Sequence, residues 1–185
     1  GPAPAAAPVA PVAVQEDPAP VVVTQDFCFS FTEIAKAASK GYEGSVGQQR
    51  PRGAGSIEDI FDTPLQLAGA EEVYLSRTTH NPQLRLVAKY AESTEQQEAM
   101  MAYEQLLQRL QVCLPELGYE EQRRDEPNAM FLRTATWRPT DLNSVVGRQF
   151  RELLLVVRLT SVTAYDDRFR AYKWFEVTMQ LTKFR

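Results

Sequence analysis

Two stretches near the C-terminus carry large apolar residues at every second position. From Glu152 to Thr163, Leu153, Leu155, Val157 and Leu159 fall on one side. From Tyr172 to Phe184, Phe175, Val177, Met179 and Leu181 fall on one side, and Trp174, Glu176, Thr178 and Gln180 on the other. A period of two predicts strands with one buried and one wet face, as in an antiparallel sheet. Tyr165-Asp166-Asp167-Arg168 between them reads as a hairpin turn. A helical period appears upstream, where Ala99, Tyr103, Leu106, Leu110 and Cys113 form a stripe widened by Met100 and Leu107. Ser93 with Gln96 is a capping-box pattern at its start, and Pro115 ends it.

Weaker patterns fill the rest. Phe31, Ile34, Ala35 and Ala38 mark a helix over Phe27 to Ser39, with Ser30 and Glu33 as its capping box and Gly41 as its stop. Gly41 to Ser56 is rich in glycine and reads as a mobile loop, and Ile57 to Leu67 as an edge strand that tolerates Pro64. Glu71 to Thr78 and Gln83 to Tyr90 read as strands around a His80-Asn81-Pro82 turn. Glu116 to Asn128 reads as a charged loop, Met130 to Trp137 as a strand, and Arg138 to Gly147 as a connection with helical character. The predicted order is α-βββ-α-βββ. The fold class is α+β, an antiparallel sheet of about five to six strands with two amphipathic helices packed on one face.

Composition divides the chain. Pro2, Pro4, Pro8, Pro11, Pro18 and Pro20 punctuate an Ala/Val-rich start that has too few donors and too little bulk to form a core. Residues 1–26 therefore read as a linker and 27–185 as a single domain, large enough for a real core. Gly1-Pro2 resembles the remnant of a cleaved tag, so a native leader is expected ahead of it, which favours export. The net charge of −4 does not point to a nucleic-acid binder. The longest strongly apolar run, Leu153 to Val157, is far too short to cross a bilayer. Cys28 and Cys113 are either buried thiols or a bridge, and with one histidine they cannot build a four-ligand Cys/His zinc site without carboxylates.

Catalytic patterns are sparse. A Ser or Cys nucleophile with a histidine base would need His80, the only histidine, which lies in a predicted turn. Carboxylate pairs such as Asp166-Asp167 and Glu120-Glu121 are explained by turns and solvated loops. Gly53-Ala54-Gly55-Ser56 lacks the Lys-Ser/Thr ending of a phosphate loop, and Glu58 and Asp59 follow it. Tyr165, Phe169, Tyr172, Trp174 and Phe184 interleave with Arg168, Arg170, Lys173 and Arg185. That mixture suits single-stranded nucleic acid, but it suits a protein interface better, because Tyr, Trp and Arg dominate interface hot spots.

Three segments share a layout: Phe27-Cys28-Phe29-Ser30-Phe31-Thr32-Glu33-Ile34, Leu65-Gln66-Leu67-Ala68-Gly69-Ala70 leading into Glu71-Glu72-Val73, and the helix Ala99 to Leu114 closing on Val112-Cys113-Leu114-Pro115. Together they resemble small uncharacterised exported bacterial α+β proteins. That resemblance implies an extracytoplasmic module, periplasmic or secreted, with Cys28 joined to Cys113. The strand–helix order also resembles secretion-chaperone-like folds, although this chain ends on strands where those end on a helix. The reading is a non-enzymatic exported binding or adaptor module with no cofactor, catalytic residue or metal site. It would recognise a protein or envelope partner, not nucleic acid, through Arg168, Arg170, Tyr172 and Trp174. The alternative is a small-ligand binder or hydrolase with its site between the sheet and loop 41–56.

Overall fold

The computed structural model describes residues 1–5, 20–115, 119–125, 131–139 and 148–183. Its long helices are α1 (Pro20–Ser39) and α2 (Gln96–Cys113). Its strands are β1 (Glu58–Phe61), β2 (Glu72–Thr78), β3 (Asn81–Ser93), β4 (Tyr119–Asp125), β5 (Phe131–Pro139), β6 (Leu153–Tyr165) and β7 (Ala171–Lys183). They form one antiparallel sheet in the order β1-β2-β3-β7-β6-β5-β4, so the chain is α+β as the alternation predicts. The last two strands, last in sequence, sit at its centre.

One face of the sheet is apolar. Leu86 pairs with Leu181 and Leu181 with Leu155, then Leu155 with Trp137, which aligns side chains of β3, β7, β6 and β5 under the helices. Phe27, Phe31, Ile34 and Ala38 of α1 and Ala99, Tyr103, Leu106 and Leu110 of α2 are buried against it. Each large apolar side chain removed from water this way contributes roughly 1.5–3 kcal/mol. Val156, Arg158, Thr178 and Gln180 occupy the opposite, open face, as the alternating burial along β6 and β7 requires. Among the described residues no helix is long and apolar enough to cross a membrane.

Beyond Ser39 the chain leaves α1 through a tight turn. Tyr42 adopts a left-handed φ of 63°, follows Gly41 at 64°, and is fully buried. Its hydroxyl donates to the Leu181 carbonyl at 2.6 Å, so packing and a hydrogen bond offset a conformation that a bulky residue normally avoids. A disulfide joins Cys28 of α1 to Cys113 at the end of α2, with Cα atoms 5.2 Å apart.

Several local expectations differ from the structure. α1 begins at Pro20, inside the segment read as linker, and proline suits a first helical position because its missing donor is not needed there. Ser30 is therefore interior, and its hydroxyl donates to the Phe27 carbonyl instead of capping. Ser93 does not cap α2 either. Glu95 is the N-cap residue, while Ser93 accepts from the Glu95 N–H and donates to Glu98. β4 occupies the segment read as a charged loop, making the order α-βββ-α-ββββ and the sheet one strand wider than expected. The β2–β3 turn is shorter than read, because Asn81 and Pro82 already belong to β3. Residues 6–19, 116–118, 126–130, 140–147 and Phe184-Arg185 lie outside the described residues, with the linker, connection and terminal-aromatic readings and the ends of the charged-loop reading and of the Met130 strand reading that fall on them.

Gly41 to Ser56 is not a free loop. Gln49 bridges Phe61, the Gly47 N–H donates to the Asp62 carbonyl at 2.7 Å, and the Arg50 N–H to the Ile60 carbonyl at 2.8 Å. This pairing occupies the outer edge of β1, an edge that would otherwise template a foreign strand. Gly47 is required sterically, since a Cβ there would meet the Asp62 carbonyl oxygen at 2.6 Å.

Candidate functional site

β6 and β7 pair in unbroken register from Leu153↔Lys183 to Tyr165↔Ala171. Their neighbours stop earlier. The last β3 pair is Ser93↔Phe175, and the first β5 pair is Phe131↔Thr160. From Ser161 to Trp174 the hairpin has no flanking strand among the described residues. At about 3.4 Å per residue, this two-stranded arm extends roughly 17 Å past the last flanking pair among the described residues.

Asp166 organises the tip. Its Oδ1 accepts from the backbone N–H groups of Arg168 and Arg170, both at 2.9 Å, and its Oδ2 accepts from Arg170 Nε at 2.7 Å. These donors, the Arg170 N–H foremost, hold the Asp166 carboxyl below the usual carboxylate range. The Phe169 N–H donates to the Asp166 carbonyl, and the chain passes through Phe169 with φ 59°. A left-handed turn residue is ordinarily Gly or Asn. Here it is a phenylalanine with 88% of its surface exposed.

The arm carries aromatic side chains on both faces and at its end. Tyr172 and Trp174 share the open face and stack, with ring centroids 5.4 Å apart and planes 20° apart. Trp174 Nε1 donates to Glu176 at 2.9 Å, which fixes the indole. Tyr165 and Lys173 lie on the other face, which continues into the core through Phe175, and the Lys173 ammonium sits 5.4 Å from the Phe175 ring centroid. Tyr165 and Tyr172 are exposed together with Phe169.

Of the four residues singled out from sequence, the structure brings Tyr172 and Trp174 into one stacked pair and puts Arg168 at the tip, exposed. Arg170 is different, since its guanidinium closes the turn against Asp166 and serves the hairpin's own geometry. Phe169 stood in the sequence only as one aromatic in a mixed patch. Its conformation, which marks it most, depends on the turn type and could be suspected only from a five-residue loop lacking glycine.

The region between the sheet and loop 41–56 is a lattice of ion pairs. Arg50 engages Asp62 at 2.8 Å and Glu72 at 2.6 Å, and Asp59 is held by Arg52, by Arg77 at 3.4 Å and by Gln49 at 3.2 Å. The Arg52 hydrogen bond, with help from Arg77, keeps the Asp59 carboxyl below its ordinary value. Such a group stays ionised, the reverse of what a general acid needs. His80 is exposed in the β2–β3 turn, and no cluster of three or more His, Cys, Asp or Glu suited to a metal occurs among the described residues. No family model, curated protein or solved structure matches the chain.

Proposed function

We propose that this protein is a non-enzymatic binding or adaptor module of the cell exterior or envelope, and that it recognises a protein partner through the projecting β6–β7 arm. The observation that carries this reading is Phe169. Its ring contributes little to the core because it is 88% exposed, and its left-handed backbone costs the fold about 1–2 kcal/mol. Strain and apolar exposure at one residue have no folding rationale, and an outlier of this kind is a reason to look for function. Tyr165 and the stacked Tyr172–Trp174 pair extend the apolar surface along the arm, with Arg168 beside it, a composition suited to interface anchors. Export is supported by the Cys28–Cys113 bridge, because structural disulfides persist in oxidising compartments.

The alternative, a ligand or hydrolytic site beneath loop 41–56, has less support, since Asp59, Asp62 and Glu72 are each neutralised by an arginine there. Partner capture with purified protein tests the main reading. Phe169→Ala and Trp174→Ala should each weaken capture at least tenfold, and Arg170→Ala should weaken it less, through loosening of the turn. Capture unchanged by Phe169→Ala and Trp174→Ala would place the binding surface elsewhere.

A further inference from the structure

The open face of the sheet carries a second feature, at the end away from the hairpin tip. A shallow pocket of about 250 Å³ lies across β2, β3, β7 and β6, and its polar wall is made by Arg85, Arg158, Asn81, Gln83, Gln180 and Thr182. Leu154 and Val156 supply its apolar part, and no carboxylate lines it. From Trp174 to Gln180 along β7 is about 20 Å at strand rise, so the pocket is separate from the arm.

The arginines are held in place. Arg85 donates from Nε to Ser76 Oγ and from Nη2 to Glu58, both at 2.9 Å. Arg77, at the pocket's rim, turns its guanidinium to the other side of the sheet, over the Phe61 ring at 5.0 Å and against Asp59. Arg158 lies over the Phe131 ring at 4.6 Å. A guanidinium carries five N–H groups, so these bonds leave donors on Arg85. Donors fixed beforehand bind an oxyanion without the entropy of ordering long side chains, and the guanidinium fork matches carboxylate or phosphate geometry. Glu58 offsets part of the positive charge, which makes directed hydrogen bonding the larger contribution and net attraction the smaller. The carboxamides of Asn81, Gln83 and Gln180 both donate and accept, as recognition of hydroxyl groups requires. The volume lies below the range of about 300–1,000 Å³ typical of pockets for drug-sized ligands, which limits the occupant to about one ring.

We propose that this pocket binds a small hydroxylated oxyanion, a single sugar ring bearing a carboxylate or a phosphate. The test is titration of the ¹⁵N-labelled full chain with glucuronate, glucose 6-phosphate and neutral glucose at matched ionic strength, followed by amide chemical shifts. At least one anion should give saturable shifts centred on Asn81, Gln83, Arg85 and Gln180, with glucose at least tenfold weaker. Tighter binding of glucuronate assigns a carboxylate ligand, and tighter binding of glucose 6-phosphate a phosphate. Arg85→Gln should weaken binding at least tenfold. Gln180→Ala, at a part-exposed position outside the ion pairs, should weaken it measurably and provides the test should Arg85→Gln perturb the fold. The inference is overturned if neither anion saturates by about 20 mM, if glucose binds as well as the anions, or if both variants bind like the parent.

Discussion

Replacing Phe169 with asparagine should stabilise the protein slightly, the opposite of the usual result for a large apolar residue. Phe169 is 88% exposed, so of the 150–250 Å² such a side chain can bury only about 25 Å² touches protein, worth roughly 0.6 kcal/mol. Its φ of 59° costs about 1–2 kcal/mol for a residue with a Cβ, and asparagine relieves part of that because it tolerates the left-handed region. The difference is a gain of about 0.5 kcal/mol, or roughly 1–2 °C in melting temperature for a domain of this size. Phe169→Gly relieves more strain but loses about 0.5–1 kcal/mol to unfolded-state entropy, so its gain should be similar or smaller. Paired urea and thermal melts of the parent and both variants, with near-ultraviolet circular dichroism to confirm the fold, provide the measurement. A destabilisation of more than about 1 kcal/mol in Phe169→Asn would refute the reasoning, because it would mean the ring packs against something that holds the fold.

Four further outcomes follow from other parts of the molecule. Replacing Cys28 and Cys113 together with alanine should cost about 2–4.6 kcal/mol, the upper value being the loop-entropy estimate for a sequence separation of 85, and the melting temperature should fall by roughly 5–15 °C; a fall under about 2 °C would contradict the bridge's stabilising role. Gly47→Ala should destabilise by about 1–3 kcal/mol in urea melts, because the new methyl meets the Asp62 carbonyl oxygen at 2.6 Å, whereas an unchanged midpoint would contradict the edge pairing. Tyr42→Phe should lose about 1–2 kcal/mol with the hydrogen bond to Leu181 at 2.6 Å, and a neutral result would show that bond to be energetically idle. Asp59 and Asp166 have folded values below the ordinary carboxylate 3.8, so the stability they confer is present above 3.8 and is lost as pH falls through those lower values; melts of Asp59→Asn from neutral to acid should start lower and show a shallower acid limb, and an acid limb identical to the parent's would remove Asp59 from the account.

Much of the fold was legible because burial writes a period into the sequence. Leu153 to Leu159 and Phe175 to Leu181 alternate since one side of each central strand meets the helices and the other meets water. Ala99 to Cys113 form a stripe because only one side of α2 touches the sheet. β4 left no such trace. Tyr119–Asp125 is an edge strand dominated by charged residues and joined to the sheet by backbone hydrogen bonds to β5, and backbone bonding requires no apolar pattern. The same reason hid the pairing of Gly47 and Arg50 with β1, in a stretch whose glycines suggested freedom. The early start of α1 was masked by Pro20 and the valines behind it, since β-branched residues lower helix propensity although tertiary packing can override that. The arm was legible as a hairpin but not as a projection. How far it stands out depends on where its neighbours pair among the described residues, β3 up to Ser93 and β5 from Phe131, which are facts about other strands.

Site-specific photo-crosslinking from position 169 in the native compartment tests the central claim most directly. A benzophenone side chain replacing Phe169 should give a discrete adduct that disappears when Tyr172 and Trp174 are both changed to serine and that forms again with the purified partner. The same probe at His80, exposed in the β2–β3 turn, should give no such adduct. Adducts equal from both positions, or unaffected by the serine changes, would contradict recognition through the arm.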